Sequence, residues 1–165
     1  MGEPGGGASP VDLVIEDARW EEAGIAGLAA RAAAAALAAV GRDPARHELA
    51  LLACDDARIA ELNAGFRDRT AATNVLSWPA FEGVPPMPEG EAPLFIGDVA
   101  IAWETCLREA GEAGVTLADH ATHLVVHGVL HLLGHDHVED AEAEAMEKIE
   151  TKTLASLGIA DPYSA

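Results

Sequence analysis

Histidines are concentrated in one short stretch of the chain. Six of the seven lie between His120 and His137, and four of these, His120, His123, His127 and His131, are spaced by three, four and four residues. In an α-helix this spacing places the side chains along one face. Two imidazoles one helical turn apart point to a common position, and helices bind zinc with this arrangement.

A third ligand for such a pair is predicted just beyond the helix. Gly134 allows a left-handed turn there, after which the chain can fold back and bring His137 towards the pair. Three protein ligands leave the fourth coordination position for water, which is typical of catalytic zinc. We therefore predict one Zn²⁺ per chain, held by His127, His131 and His137. The alternative pair of His123 with His127 is not excluded by spacing.

The spacing of these three histidines is the same as in the metzincin proteases, whose motif is H-E-x-x-H-x-x-G-x-x-H. Those enzymes need a glutamate directly after the first histidine as general base. In this chain the corresponding residue is Gly128. The spacing therefore supports metal binding by a helix followed by a glycine turn, and it argues against peptide hydrolysis. Two other histidines, His47 and His120, are interpreted as hydrogen-bonded residues of the core.

Strands and helices alternate around this segment, which predicts an α+β fold with a small central mixed β-sheet flanked by helices. The predicted strands cover residues 11–15, 48–54, 74–78 and 94–103. The predicted helices cover 20–40, a segment that begins at 55–56, a segment that ends near 112, then 116–133 and 140–157. Residues 80–93 are rich in proline, glycine and glutamate and are a candidate lid or binding loop. The acidic run 139–150 is interpreted as the solvated face of the last helix.

The length of 165 residues fits one domain, predicted for residues 11–165, after a disordered Gly- and Pro-rich tail at 1–10. The formal charge of −18 repels polyanions, so any nucleic-acid site must be a local exception. No signal peptide or membrane span is recognisable. The two cysteines, Cys54 and Cys106, lie in apolar segments and are expected to be buried thiols in a reducing cytoplasm.

Three segments resemble the motifs of one enzyme family. HGVLHLLGHDH at His127–His137 resembles H-G-x-L-H-L-x-G-Y-D-H of the YbeY family of metal-dependent endoribonucleases. LNAGFRDRTAATNVLSWP at Leu62–Pro79 is similar to L-N-x-x-Y-R-x-K-D-x-P-T-[DN]-V-L-S-F-P of that family, and FIGDVAIA at Phe95–Ala102 to L-G-D-I-x-I-[AS]. The segments differ from the family at His135, which replaces a tyrosine and adds a candidate ligand, and at Thr70 and Ala72.

The resemblance implies a zinc site at His127, His131 and His137 and a functionally important arginine at Arg67. It implies a single-strand-specific endoribonuclease in the cytoplasm that acts on ribosomal RNA in its maturation and in ribosome quality control. The expected partners are single-stranded or ribosomal RNA and ribosomal or ribosome-associated proteins, with no membrane and no DNA. The guanidinium of Arg67 is suited to binding a phosphate with two hydrogen bonds.

Two alternatives remain at this point. One is a metallohydrolase of another substrate such as a peptide. The other is a non-catalytic ribosome-assembly factor whose zinc only stabilises the fold. Because the chain is so acidic, we expect weak intrinsic affinity for RNA with a strong dependence on salt.

Overall fold

The computed structural model describes residues 9–67, 73–135 and 139–163. Its strands are Val11–Ile15 (β1), His47–Cys54 (β2), Val75–Pro79 (β3) and Leu94–Ala102 (β4). Its helices are Ala18–Glu22 (α1), Ile25–Ala39 (α2), Asp56–Arg67 (α3), Trp103–Ala113 (α4), Leu117–Leu132 (α5) and Asp140–Ser156 (α6), with a 3₁₀ turn at Pro44–Arg46. Most of the predicted tail lies outside the described residues, so its disorder stays a prediction.

The four strands form one mixed sheet in the order β1-β2-β4-β3. The pairs β1–β2 and β2–β4 are parallel, whereas β3 and β4 are antiparallel. The register between β2 and β4 shifts by one residue, because Glu48 pairs with Phe95 but Ala50 pairs with Asp98. This bulge contains Gly97, whose φ is 140°. The predicted α+β fold with a small mixed sheet flanked by helices is confirmed.

The main core lies between one face of the sheet and the helices α2 and α5. Helix α2 presents a row of fully buried alanines to this core, including Ala29, Ala32 and Ala36. Small side chains allow two helices to approach closely, so alanine at these positions brings α2 near α5. None of the helices in the described part of the chain combines the length and the apolar character that crossing a bilayer requires.

The helix predicted at 20–40 is wrong as a single element. The structure breaks it into α1 and α2 at Gly24, whose φ of 80° lies in the left-handed region and ends the first helix. The break turns Trp20 into the protein, where its indole N–H donates to the carbonyl of Cys54 at 2.9 Å. The ring also packs edge-to-face on Trp103 at a centroid distance of 4.9 Å. A buried tryptophan with a satisfied N–H thus fixes the position of α1 on the sheet.

Helices α3 and α4 are capped by neighbouring acidic residues. The carboxylate of Asp55 accepts from the backbone N–H of Arg58 at 2.8 Å and so caps α3. The carboxylate of Asp56 instead accepts from the backbone and the hydroxyl of Thr105, at 2.9 and 2.7 Å. In return, Glu104 accepts from the backbone N–H of Asp56. The two helix N-termini therefore hold each other in place, next to the strands that end there.

The loop 80–93 between β3 and β4 is held by a buried arginine. Arg42, which is 7% exposed, donates to the carbonyls of Pro85 and Pro86 at 2.6 and 3.0 Å. Its guanidinium also lies 3.2 Å from Nε2 of His47, whose Nδ1 lies 2.9 Å from the carbonyl of Asp43. The interpretation of His47 as a hydrogen-bonded core residue is confirmed. The loop is consequently fixed to the end of α2.

Replacing Arg42 with methionine is expected to loosen this loop. The substitution keeps an apolar stem but leaves two proline carbonyls without their donor, at a cost of about 2 kcal/mol of unfolding free energy. Hydrogen exchange at short labelling times should show faster exchange in residues 80–93. Arg108, whose side chain is 59% exposed on α4, provides the matched Arg108→Met control with little expected change. Equal exchange in both variants would show that the guanidinium does not fix the loop.

Candidate active site

The histidines of α5 do not all face the same partner. Nε2 of His127 and Nε2 of His131 lie 3.0 Å apart, with the rings 4.6 Å from centroid to centroid. The rings of His123 and His127 are 6.5 Å apart, and Nε2 of His123 contacts Glu150 instead. Of the two pairs that spacing allowed, the structure brings together the ring nitrogens of His127 and His131. His120 pairs with Glu109 at 2.9 Å, as expected for a histidine outside the site.

The histidine pair opens into a cavity with a volume of about 590 Å³. One wall is the start of β3 with the residues before it, a second is the loop after β3, and the floor is the end of α5. The lining side chains and backbone come from Thr73, Asn74, Ser77, Phe81, His127, His131 and His135. The predicted role of 80–93 as a binding loop agrees with this position, because Phe81 and Gly83 line the cavity.

Helix α5 reaches the cavity because it packs tightly on the sheet at Gly128. A Cβ at this position would lie 2.9 Å from Cγ1 of Val99 and 3.3 Å from Oγ of Ser77. The hydroxyl of Ser77 donates to the carbonyl of Gly128 at 3.3 Å, which joins β3 to the helix. The contact leaves no room for a side chain. The residue that replaces the metzincin glutamate is therefore a packing glycine.

A buried carboxylate lies behind the histidine pair. Glu150 of α6 has a side chain that is 1% exposed, and one of its oxygens accepts a short hydrogen bond from Nδ1 of His127. The other oxygen lies 3.1 Å from Nε2 of His123 and accepts from the hydroxyl of Tyr163. The interpretation of 139–150 as a solvated face is wrong at this residue. Glu150 lies one turn from Met146 and one turn from Leu154, both fully packed, and so on the buried side of α6.

The electrostatics of this cluster favour an ionised carboxylate. Burial raises the pKa of Glu150, but the hydrogen bonds from its three donors outweigh burial and bring the pKa to about 2. Burial, together with the adjacent carboxylate, raises the pKa of the Tyr163 hydroxyl well above its ordinary value, so this group keeps its proton. Burial alone lowers the pKa of His135 on the cavity wall.

Comparison with known proteins gives the family. The sequence model of the family described as Endoribonuclease YbeY matches residues 15–158 of this chain. The chain belongs to the YbeY family. An Endoribonuclease YbeY from Cereibacter sphaeroides is 54% identical over 163 residues, which cover 93% of this chain and 98% of that protein. An Endoribonuclease YbeY from Ruegeria pomeroyi is 52% identical over 165 residues, with the same shares covered.

A solved structure shows the same fold at much lower identity. The solution structure of TM1509 from Thermotoga maritima matches with a TM-score of 0.57 and 19% identity, and the match covers 94% of this chain and 99% of that one. The YbeY resemblance deduced from the three motifs is thus confirmed for the family and for the fold.

Two of the three YbeY motifs contribute residues to the cavity wall, and the third lies on β4, which pairs with β3 beside it. The segment Leu62–Pro79 runs from the end of α3 into β3, Phe95–Ala102 lies within β4, and His127–Leu132 forms the last turns of α5. Two predicted site residues fall outside this description. His137 lies outside the described residues, and so does the side chain of Arg67, whose backbone is the last residue of α3. Their roles stay predictions.

Among the described residues no group of three or more candidate ligands meets the geometry of a metal site. The third predicted ligand, His137, lies outside these residues. Sequence reasoning missed Glu150 and Tyr163, which contact the histidines from α6 and from the turn after it. The periodicity of α6 contained a signal for Glu150, since it shares the spacing of Met146 and Leu154.

Proposed function

We propose that this protein is a metal-dependent, single-strand-specific endoribonuclease that acts in the maturation of ribosomal RNA. The observation that carries the proposal is the meeting of two histidine Nε2 atoms, 3.0 Å apart, at the floor of a large cavity in a chain of the YbeY family. Relatives that are about half identical over nearly their whole length are named as endoribonucleases. Ribosome quality control belongs to the same proposal.

The residues present fit a zinc ion. The Nε2 atoms of His127 and His131, which lie 3.0 Å apart at the cavity, would be placed to hold one zinc ion together. Nδ1 of His127 is hydrogen-bonded to the carboxylate of Glu150, and metal-ligating histidines usually have such a partner. His127 and His131 would hold the ion together with His137, and all-imidazole ligation suits zinc. When bound, Zn²⁺ supplies Lewis acidity towards phosphate and lowers the pKa of water.

The chain's own groups bind and orient the RNA. Arg67 is assigned to a phosphate of the substrate, where a planar guanidinium donates two parallel hydrogen bonds and stabilises charge that develops during cleavage. Asn74 and Ser77 line the cavity close after it in sequence. Asn74 is positioned by donating to Glu109 at 3.0 Å, the same carboxylate that pairs with His120.

The net charge of the chain affects its affinity for RNA. Because its formal net charge is −18, the protein repels RNA at long range. Its affinity for RNA therefore depends on a few cationic contacts and decreases as the salt concentration rises. We assign the partners accordingly as ribosomal RNA together with ribosomal or ribosome-associated proteins. A cytoplasmic location fits Cys54 and Cys106, which are buried free thiols, because disulfides are rare in that reducing compartment.

Cleavage of a labelled single-stranded RNA tests the proposal. The wild-type protein with Zn²⁺ is expected to cut it, and Arg67→Ala to cut about 10²–10³-fold more slowly, as when one donor to a developing anion is removed. The matched control is Arg108→Ala, an exposed arginine on α4 that is expected to keep wild-type activity. If Arg67→Ala cuts as fast as this control, the role of Arg67 is wrong. If neither the wild type nor a variant cuts the RNA, the hypothesis of a non-catalytic assembly factor replaces that of an endoribonuclease.

A further inference from the structure

The hydrogen bonds of Glu150 divide between its two oxygens. Oε2 accepts from Nδ1 of His127, whereas Oε1 faces both Nε2 of His123 and the hydroxyl of Tyr163. These donors come from two different parts of the chain, helix α5 and the turn after α6. A carboxylate with donors on both oxygens and almost no exposure has little freedom to rotate. Its position in the protein is thereby fixed.

The chemistry of the carboxylate decides which nitrogen of His127 carries the hydrogen. An ionised carboxylate only accepts, so Nδ1 must be the N–H donor. A neutral imidazole has one N–H, and Nε2 is then left with its lone pair. This lone pair is directed to the cavity, towards Nε2 of His131 at 3.0 Å. Both the tautomer and the ring orientation of His127 therefore follow from Glu150.

Tyr163 belongs to the same arrangement through a second set of contacts. The carboxylate of Asp161 accepts from the backbone N–H of Tyr163 at 2.8 Å and from the hydroxyl of Thr151 at 3.2 Å, which ties this turn to α6. The Tyr163 ring packs edge-to-face on His123 at 5.6 Å between centroids. The tyrosine thus covers the side of the carboxylate that faces away from the cavity and donates to it.

We propose that Glu150 and Tyr163 are positioning residues, which hold His127 as the Nδ1–H tautomer with the Nε2 lone pair directed at the cation. The proposal rests on the proposed function in one respect, that His127 is a metal ligand. It goes beyond that function because it assigns a role to two residues outside the three sequence motifs. Neither residue lines the cavity, so each is assigned to act through His127.

The ¹⁵N chemical shifts of the histidine ring nitrogens show which tautomer is present. Long-range ¹⁵N–¹H spectra of the full-length, metal-free protein at neutral pH are expected to show His127 with a protonated Nδ1 and an unprotonated Nε2. In Glu150→Gln the charge is lost, and a mixture of the two tautomers is expected at His127. In Tyr163→Phe the ring is kept but the hydroxyl donor is removed, and a smaller change in the same direction is expected. Glu144→Gln, an exposed glutamate on α6, is the matched control with the wild-type spectrum.

The affinity for Zn²⁺ alone, measured by competition with a chromophoric chelator, is the second measurement. Loss of a carboxylate behind a ligating histidine is expected to weaken zinc binding by about 10–100-fold in Glu150→Gln. In Tyr163→Phe, the loss of one hydrogen bond is expected to weaken zinc binding by about fivefold. If both variants fold and keep the wild-type tautomer and affinity, the proposal is overturned. If Glu150→Gln does not fold, Tyr163→Phe decides by the same two measurements.

These measurements separate the inference from the proposed function, because neither uses RNA. A protein that binds zinc with the expected tautomer but cuts no RNA contradicts the proposed activity and leaves the positioning role intact. A protein that cuts RNA while both variants bind zinc as the wild type does contradicts the positioning role alone.

Discussion

His131→Ala is expected to cleave RNA at least about 100-fold more slowly than the wild type does. A residue that binds the metal directly contributes at least as much to activity as the residues that position it. The substitution removes one of the two nitrogens that meet at the cavity floor, and the remaining ligands hold the cation more weakly. The affinity for Zn²⁺ should fall together with activity. The fold should survive, because His131 is only partly buried and the core beside it is formed by other residues of α5.

The matched control for His131→Ala is His120→Ala on the same helix. His120 contacts Glu109 rather than the histidine pair, so His120→Ala should keep the wild-type affinity for Zn²⁺. Because Glu109 also accepts from Asn74 of the cavity wall, cleavage by His120→Ala is expected to fall, but far less than cleavage by His131→Ala. Rates are to be compared at saturating Zn²⁺ and at limiting Zn²⁺, with circular dichroism to verify folding. A His131→Ala protein that cuts RNA as fast as His120→Ala at limiting Zn²⁺ would contradict the proposed metal centre.

Gly97→Ala is expected to lower the free energy of unfolding by more than about 3 kcal/mol. The φ of Gly97 is 140°, which side chains rarely adopt, and a Cβ would lie 2.4 Å from the carbonyl oxygen of Trp78 and 2.8 Å from Cδ2 of Leu132. The backbone of β3 and the end of α5 would both have to move. Because these two elements form the cavity, cleavage should decline along with stability.

Urea unfolding with two optical probes measures the effect of Gly97→Ala. Gly111→Ala is the control, because Gly111 lies in α4 with open space around its Cα and a helical backbone. Alanine there should raise stability by about 0.5–1 kcal/mol. A Gly97→Ala protein as stable as the wild type would show that β3 and β4 are not in the described register.

The elements nearest the site were the most predictable from sequence. The helix of α5 was deduced from histidine spacing and from Thr116, whose hydroxyl accepts from the backbone N–H of Asp119 at 3.0 Å. Its end before Gly134 was predicted from the same glycine that the structure places there with a φ of 98°. Local chemistry, namely caps, glycines and periodicity, determines such features. The family motifs added the order of the segments that line the cavity.

Features that depend on distant contacts could not be predicted in this way. The acidic run of α6 suggested solvent exposure, but Glu150 is buried because its donors come from α5 and from the turn that contains Tyr163. The break at Gly24 was also missed, since an alanine-rich segment favours helix throughout and only the anchoring of Trp20 on the sheet requires the turn. In both cases a tertiary contact overrode the local pattern.

The glycine under α5 also bears on how this site relates to metal-dependent proteases. The shared histidine spacing suggests that a single change, Gly128→Glu, is enough to supply the general base of those enzymes. In this fold, however, position 128 faces Val99 and Ser77, so a carboxylate there would separate the helix from the sheet rather than reach the cavity. The two enzyme types therefore share a histidine spacing, but in this protein the residue after the first histidine packs on the sheet and has no room for a side chain. Installing the general base of the proteases here would first require a different contact between α5 and the sheet.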